Sequence, residues 1–157
     1  MIRTYLIAAT SAAVLAVPVI ALTQQGQLGT ADEAKAMLMK AVAAVKADRD
    51  VALGMFNKGE GGFKDRDLYP FCFRIADGKY VAAPVLAVPV GTNTHTLKDP
   101  TGKVFGEELY AGAQKPEGQF TEVSYMFPKP GTTAPAVPKV SFVTRVADLG
   151  CGVGYYK

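Results

Sequence analysis

Leu68-Tyr69-Pro70-Phe71-Cys72-Phe73-Arg74-Ile75-Ala76-Asp77-Gly78-Lys79-Tyr80-Val81-Ala82-Ala83 carries the pattern that decides the fold. Tyr69, Phe71, Phe73 and Ile75 alternate with other residues, as side chains of an extended strand do. Asp77-Gly78 offers the left-handed conformations of a tight turn and Tyr80 to Ala83 resumes the strand character, so the segment reads as a β-hairpin. Towards the carboxyl end, Ala83 to Gly91 holds two prolines and no helical period, which predicts an ordered loop. Asp99-Pro100-Thr101-Gly102 is a turn leading into a short helix from about Lys103 to Ala113, with Phe105 and Leu109 facing inward. Phe120 to Phe127, Val140 to Val146 and Cys151 to Tyr156 are three more strands. A proline-rich excursion from Pro128 to Pro138 and the segment Asp148-Leu149-Gly150 separate them.

Towards the amino end, Thr30-Ala31-Asp32-Glu33 has the form of a capping box, in which Thr30 and Glu33 satisfy each other's backbone amides. Ala34, Met37, Leu38, Ala41, Val42 and Val45 then recur at spacings of three and four, with Lys35, Lys40 and Lys46 largely on the other side. Lys46 to Asp50 makes a corner, and Val51 to Phe56 adds a separate helical piece that Gly59 to Gly62 ends. Helices first, then a hairpin, a helical crossover and three strands give an α+β arrangement on one five-stranded antiparallel sheet, with no internal repeat.

Composition narrows the function. The chain has 157 residues, 49% hydrophobic and 20% charged, with 16 glycines and 10 prolines, which predicts one turn-rich globular domain. The net charge of +3 is spread without runs of one sign, so no nucleic-acid partner is expected. Two cysteines and one histidine cannot assemble a four-ligand zinc site from those residue types, and C-x-x-C-H is missing, so no metal or cofactor is expected.

Arg3 is followed by no charge until Asp32, and Leu6 to Leu22 is almost wholly apolar or small. With Val19-Ile20-Ala21 as a small-residue cleavage pattern, this reads as a signal peptide over residues 1–21, a flexible linker over 22–29, and one domain over 30–157 in the periplasm. The rival reading is an uncleaved inner-membrane anchor over residues 5–23, which would have to tolerate Pro18.

Several further pieces stand in a telling order. They are Asp67-Leu68-Tyr69, Asp77-Gly78, Gly91-Thr92-Asn93, Leu97-Lys98-Asp99 and Gly102-Lys103-Val104-Phe105, followed by Gly118, Tyr125, Pro128-Lys129-Pro130, Lys139-Val140-Ser141-Phe142 and Gly152-Val153-Gly154-Tyr155. From about Ala34 onward the chain resembles the single Cache domain, type 2, an extracytoplasmic PAS-like sensor module. The resemblance implies a PAS-like five-stranded antiparallel sheet with a long N-terminal helix and a short crossover helix. It also implies a pocket for a small organic acid on one face of the sheet. Members commonly carry His where this chain has Ala83 before Pro84, Trp where it has Phe120, and Tyr where it has Phe142. Fewer polar contacts to a ligand are therefore expected. Cys72 and Cys151 would pair if their strands are neighbours, as they are in PAS-like sheets; otherwise they are two buried thiols acting as small apolar side chains.

An enzyme has little support, since His95 lies in the polar loop Thr94-His95-Thr96 and no G-x-S-x-G elbow occurs. Lys64-Asp65-Arg66-Asp67 reads as a solvated loop, and Gly150-Cys151-Gly152-Val153-Gly154 has no helix after it to cradle a phosphate. A buried carboxylate needs a cation or several donors. Lys139, matching a lysine that the family keeps, is the expected cation, with Tyr125 supplying a hydroxyl and Tyr69, Phe71 and Phe73 an apolar wall. Arg74 and Tyr80 are reserves, and His95 is a further candidate for the lining. Each aromatic has plain core packing as its alternative, and Lys139 a solvated strand end. The expected function is a small-molecule sensor acting in signal transduction through a partner protein such as a membrane receptor or kinase, because no second apolar span or heptad coil is present to transmit. The alternatives are a periplasmic interaction or structural module with a closed pocket, and a secreted enzyme of unrecognised type.

Overall fold

Thr30 and Glu33 form the expected capping box: the Thr30 hydroxyl accepts from the Glu33 amide at 3.3 Å, and the Glu33 carboxylate accepts from the Thr30 amide at 2.8 Å. They start helix α1, Ala31–Ala47, in a computed structural model that describes residues 28–84 and 88–157. The signal peptide expected at 1–21 and nearly all of the linker lie outside the described residues. Asp48 is the whole corner. Its amide closes α1 on the Ala44 carbonyl, while its carboxylate accepts from Val51 N to start α2, Arg49–Lys58, which ends at Gly59 in the left-handed conformation. No helix among the described residues is long and apolar enough to cross a membrane.

The sheet contains β1 (Pro70–Arg74), β2 (Tyr80–Ala82), β3 (Thr121–Pro128), β4 (Ala136–Val146) and β5 (Leu149–Tyr156), in the antiparallel order β2-β1-β5-β4-β3. Two of the boundaries that differ from expectation matter for the sheet. β4 begins inside the proline-rich stretch, and Pro138 is tolerated there because the last β4–β5 pair is Lys139 with Tyr156, which leaves Pro138 with a sheet neighbour on one side only. Leu149 belongs to β5, so the β4–β5 connection is just Ala147 and Asp148, with Ala147 at a φ of 52°.

Strand alternation sorts the side chains onto two faces. Cys72, Phe142, Val146, Leu149, Cys151 and Val153 face α1 and α2, where they pack with Leu38, Ala41, Phe56 and Phe63. Phe71, Phe73, Val123, Tyr125 and Val143 face the other way, onto α3 (Phe105–Ala113), whose Phe105 and Leu109 turn inward as expected. β1 and β5 are neighbours in register at Cys72 and Cys151, and these cysteines form a disulfide with an S–S distance of 2.10 Å.

Both ends of the described chain lie at one pole of the sheet. Pro70, at the start of β1, pairs with Val153 near the end of β5; Lys157 N donates to the Pro138 carbonyl; and Gly29 N donates to Asp67 Oδ1 at 2.6 Å. Asp67 is buried at 4% exposure, so only part of the Lys64–Asp67 segment is the solvated loop expected of it. Arg66, at a φ of 55°, adds an ion pair to Glu33 at 2.7 Å and ties the approach to β1 to the first turn of α1.

Candidate ligand-binding site

At this pole, on the face opposite α1, a cavity of about 20 Å³ opens among Tyr69, Phe71, Tyr80, Ala83, Val88, Phe105, Tyr125, Phe127 and Lys139. That is room for roughly one water molecule. Lys139 reaches it because three alternate residues of β5, Gly150, Gly152 and Gly154, are glycines. A Cβ on Gly154 would lie 2.5 Å from Lys139 Cε and 2.5 Å from Ser141 Oγ, and one on Gly152 would lie 2.5 Å from the Phe71 ring. The glycine run that sequence alone could only dismiss as a phosphate cradle thus makes space for the lysine stem and the aromatic wall.

Lys139 is 2% exposed. Its Nζ donates to the Tyr69 hydroxyl at 3.1 Å and reaches the Tyr156 hydroxyl at 3.5 Å. It also stands 4.6 Å from the Tyr69 ring centre, 5.2 Å from Phe127 and 4.6 Å from Tyr156, a cage of aromatic faces that suits a cation. Among the described residues no carboxylate lies within ion-pair distance of it. Burial pulls its pKa down to about 7, opposed only by the more distant Asp67. The hydroxyls around it hold their protons: burial raises Tyr125 to about 12 and pushes Tyr69, Tyr80 and Tyr156 up as well. The site is therefore a desolvated amine among neutral phenols, with no carboxylate within ion-pair distance among the described residues.

The family Single Cache domain 2 matches residues 18–156. The chain belongs to that family. Three solved structures share its fold. A methyl-accepting chemotaxis protein from Vibrio parahaemolyticus RIMD 2210633 has 24% identity and a TM-score of 0.62, over 80% of this chain and 86% of its own. A Cache chemosensory domain solved to explain carboxylic acid recognition has 20% identity and a TM-score of 0.62, over 80% and 91%. The periplasmic sensor domain of a chemotaxis protein has 24% identity and a TM-score of 0.58, over 80% and 88%. No curated protein matches this sequence.

Of the residues expected to form its site, this Cache domain brings Lys139, Tyr125, Tyr69, Phe71 and Tyr80 to one cavity. Three others lie elsewhere. Phe73 shares their face but is fully buried one step further along β1, against Tyr80, Tyr110 and the space at Gly150. Arg74 is held by Asp77 at 2.6 Å within the hairpin. His95 sits on a single 3₁₀ turn, Thr94–Thr96, against the Tyr110 ring and Glu107, at 2.9 Å from that carboxylate. Tyr125 does line the cavity, but its hydroxyl shares a 2.8 Å hydrogen bond with Ser141 and its ring stacks on Phe105 at 4.1 Å. Phe105, Phe127 and Tyr156 were not foreseen as site residues. Tyr156 is fixed by donating to the Pro128 carbonyl. The departures from the family pattern also separate. Phe142 packs on the α1 face and Phe120 lies under Lys35, 5.4 Å from its Nζ, so neither takes a hydroxyl or an indole away from the cavity. Only Ala83 does line it, with its amide donating to Asn57 Oδ1 at 3.0 Å.

Proposed function

We propose that this Cache domain is an extracytoplasmic sensor, without enzymatic activity, that binds a small organic acid and passes its bound state to a partner protein, a membrane receptor or kinase. The observation that carries the reading is Lys139: a buried amine, caged by aromatic rings, with no carboxylate within ion-pair distance among the described residues. A carboxylate entering the cavity supplies the missing counter-charge and accepts hydrogen bonds from the ammonium and from the Tyr69 hydroxyl. The fold shared with chemotaxis sensor domains, one of them solved for carboxylic acid recognition, supports the same reading. Residues 1–21 act as a removed signal peptide that delivers the domain to the periplasm.

Calorimetry with a panel of small carboxylates tests it. Lys139→Met is expected to weaken any bound acid by at least about thirtyfold, roughly 2 kcal/mol, and Tyr69→Phe by about fivefold, whereas Tyr125→Phe stays within about twofold because its hydroxyl is already taken by Ser141. Unchanged affinity in Lys139→Met overturns the anion contact. A specific observation favours a second reading: the cavity is only about 20 Å³, as expected of an interaction or structural module whose pocket has closed over with side chains. A panel that gives neither heat nor thermal stabilisation supports that second reading instead.

A further inference from the structure

The segment Asp65 to Tyr69, just before β1, holds both the chain that enters α1 and the buried cation. Asp65 and Leu68 close a turn on each other through two backbone hydrogen bonds, at 3.0 and 2.8 Å, with Arg66 left-handed at its corner. From this turn Arg66 pairs with Glu33 in the first turn of α1, and Asp67 Oδ1 accepts from Gly29 N at 2.6 Å. Leu68 packs so closely on Gly29 that a Cβ there would stand 2.4 Å from its Cγ. The next residue, Tyr69, accepts from Lys139 Nζ at 3.1 Å. Asp67 and Lys139 are therefore buried opposite charges at the two ends of one three-residue stretch of contacts, beyond ion-pair distance of each other. Lys139 is the one buried cation among the described residues. Asp67 Oδ2 is buried too, and has no hydrogen-bond partner among the described residues. A carboxylate left half satisfied in the interior is costly, and the field of Lys139 is what offsets that cost.

We infer that the Asp65–Tyr69 segment is a coupling element that loosens the entry of α1 when an acid occupies Lys139, with Asp67 as its positioning residue. The inference rests on the proposed anion contact at Lys139 and adds the route by which occupancy leaves the site. An acid there takes up the Tyr69 hydroxyl and neutralises the cation that balances Asp67, while adding a second negative charge to a weakly screened region. Like charges disfavour the ionised carboxylate, so Asp67 takes a proton from solvent or shifts outward. Either response removes the charge-assisted acceptor from Gly29 N, and such hydrogen bonds are about twice as strong as neutral ones. Leu68 leaves Gly29 no other seat of the same closeness. Coupling of this kind is reciprocal: the factor by which the acid loosens Gly29 is the factor by which loosening Gly29 tightens the acid.

The test is residue-level hydrogen exchange by NMR on the exported protein, free and saturated with acetate or succinate as judged by calorimetry. The Gly29 amide is expected to exchange about fivefold faster with acid bound, while amides inside α2 stay unchanged. Asp67→Asn offers Gly29 N the same oxygen acceptor without a charge, and is expected to bind acid yet show less than about twofold change at Gly29. Gly29→Ala forces the chain off Leu68 and is expected to bind the acid about fivefold more tightly than wild type, an effect that a merely structural contact would not produce. Gly29 exchange that ignores saturating acid, an undiminished response in Asp67→Asn, or unchanged affinity in Gly29→Ala overturns the coupling while leaving the Lys139 contact standing. If Asp67→Asn fails to fold, Gly29→Ala decides alone. Acid bound equally by wild type and Lys139→Met, or no binding of either acid, overturns the Lys139 contact and the coupling falls with it.

Discussion

Lys139 is asked to be a cation in a place that disfavours cations, and this conflict has a measurable signature. An unfolded lysine keeps its proton up to about pH 10.5, while burial lowers Lys139 to about 7. Between those values the unfolded chain holds more protons than the folded one, so stability rises with pH across that window. Below pH 7 the folded chain carries the buried charge in full and gains nothing more. The buried tyrosines act oppositely but later: their raised pKa values stabilise fully below the ordinary value of 10 and lose that share only above it. Urea denaturation of the wild type is therefore expected to show about 2 kcal/mol more stability at pH 8.5 than at pH 6.5, and Lys139→Met close to none of that rise. An equal rise in both proteins would mean that Lys139 is solvated. A bound organic acid should flatten the same profile, because the anion restores the proton that burial removes.

The first turn of α1 concentrates three functions on Glu33. Its carboxylate caps the helix through Thr30, pairs with Arg66, and is held at a pKa of about 2, first by the Arg66 hydrogen bond and then by the Thr30 amide. Thr30→Ala removes one half of the box and is expected to cost about 1 kcal/mol in thermal or chemical unfolding. No loss would mean that the Arg66 pair alone secures the helix start. This junction shows what a single sequence can and cannot reveal. The capping box was legible because its parts lie three residues apart, and the shared face of Tyr69, Phe71 and Phe73 because alternation in a strand is local. The cage around Lys139 was not. Tyr156 and Phe127 reach it through pairing register, Tyr156 opposite Lys139 and Phe127 opposite Val137, which no short window contains. His95 and Arg74 lie away from the cavity for a related reason: each finds a nearby carboxylate, Glu107 or Asp77, that satisfies it there. Lys139 itself became the expected cation through family resemblance rather than through periodicity.

The largest single constraint on the whole molecule is the bond between Cys72 and Cys151, which are 79 residues apart and both fully buried. Closing a loop of that length stabilises by about 4 kcal/mol in the chain-entropy model, so Cys72→Ala/Cys151→Ala should unfold at clearly lower urea, by up to that amount. The proposed export route predicts the mass of the native protein: a chain beginning near Leu22, two hydrogens lighter than its reduced form, with no thiol open to labelling after denaturation. A retained amino terminus with two free thiols would contradict both the compartment and the bond. Gly29 and Lys157 lie at the same pole as the cavity, with the Asp77-Gly78 and Ala147-Asp148 turns at the other. In circuit terms, the candidate input and both ends of the described domain share one end of the device. A probe joined at Lys157 would sit at the pole that carries the candidate cavity, where it would read the site at close range, while the turns at the opposite end could be fastened to a support without touching it.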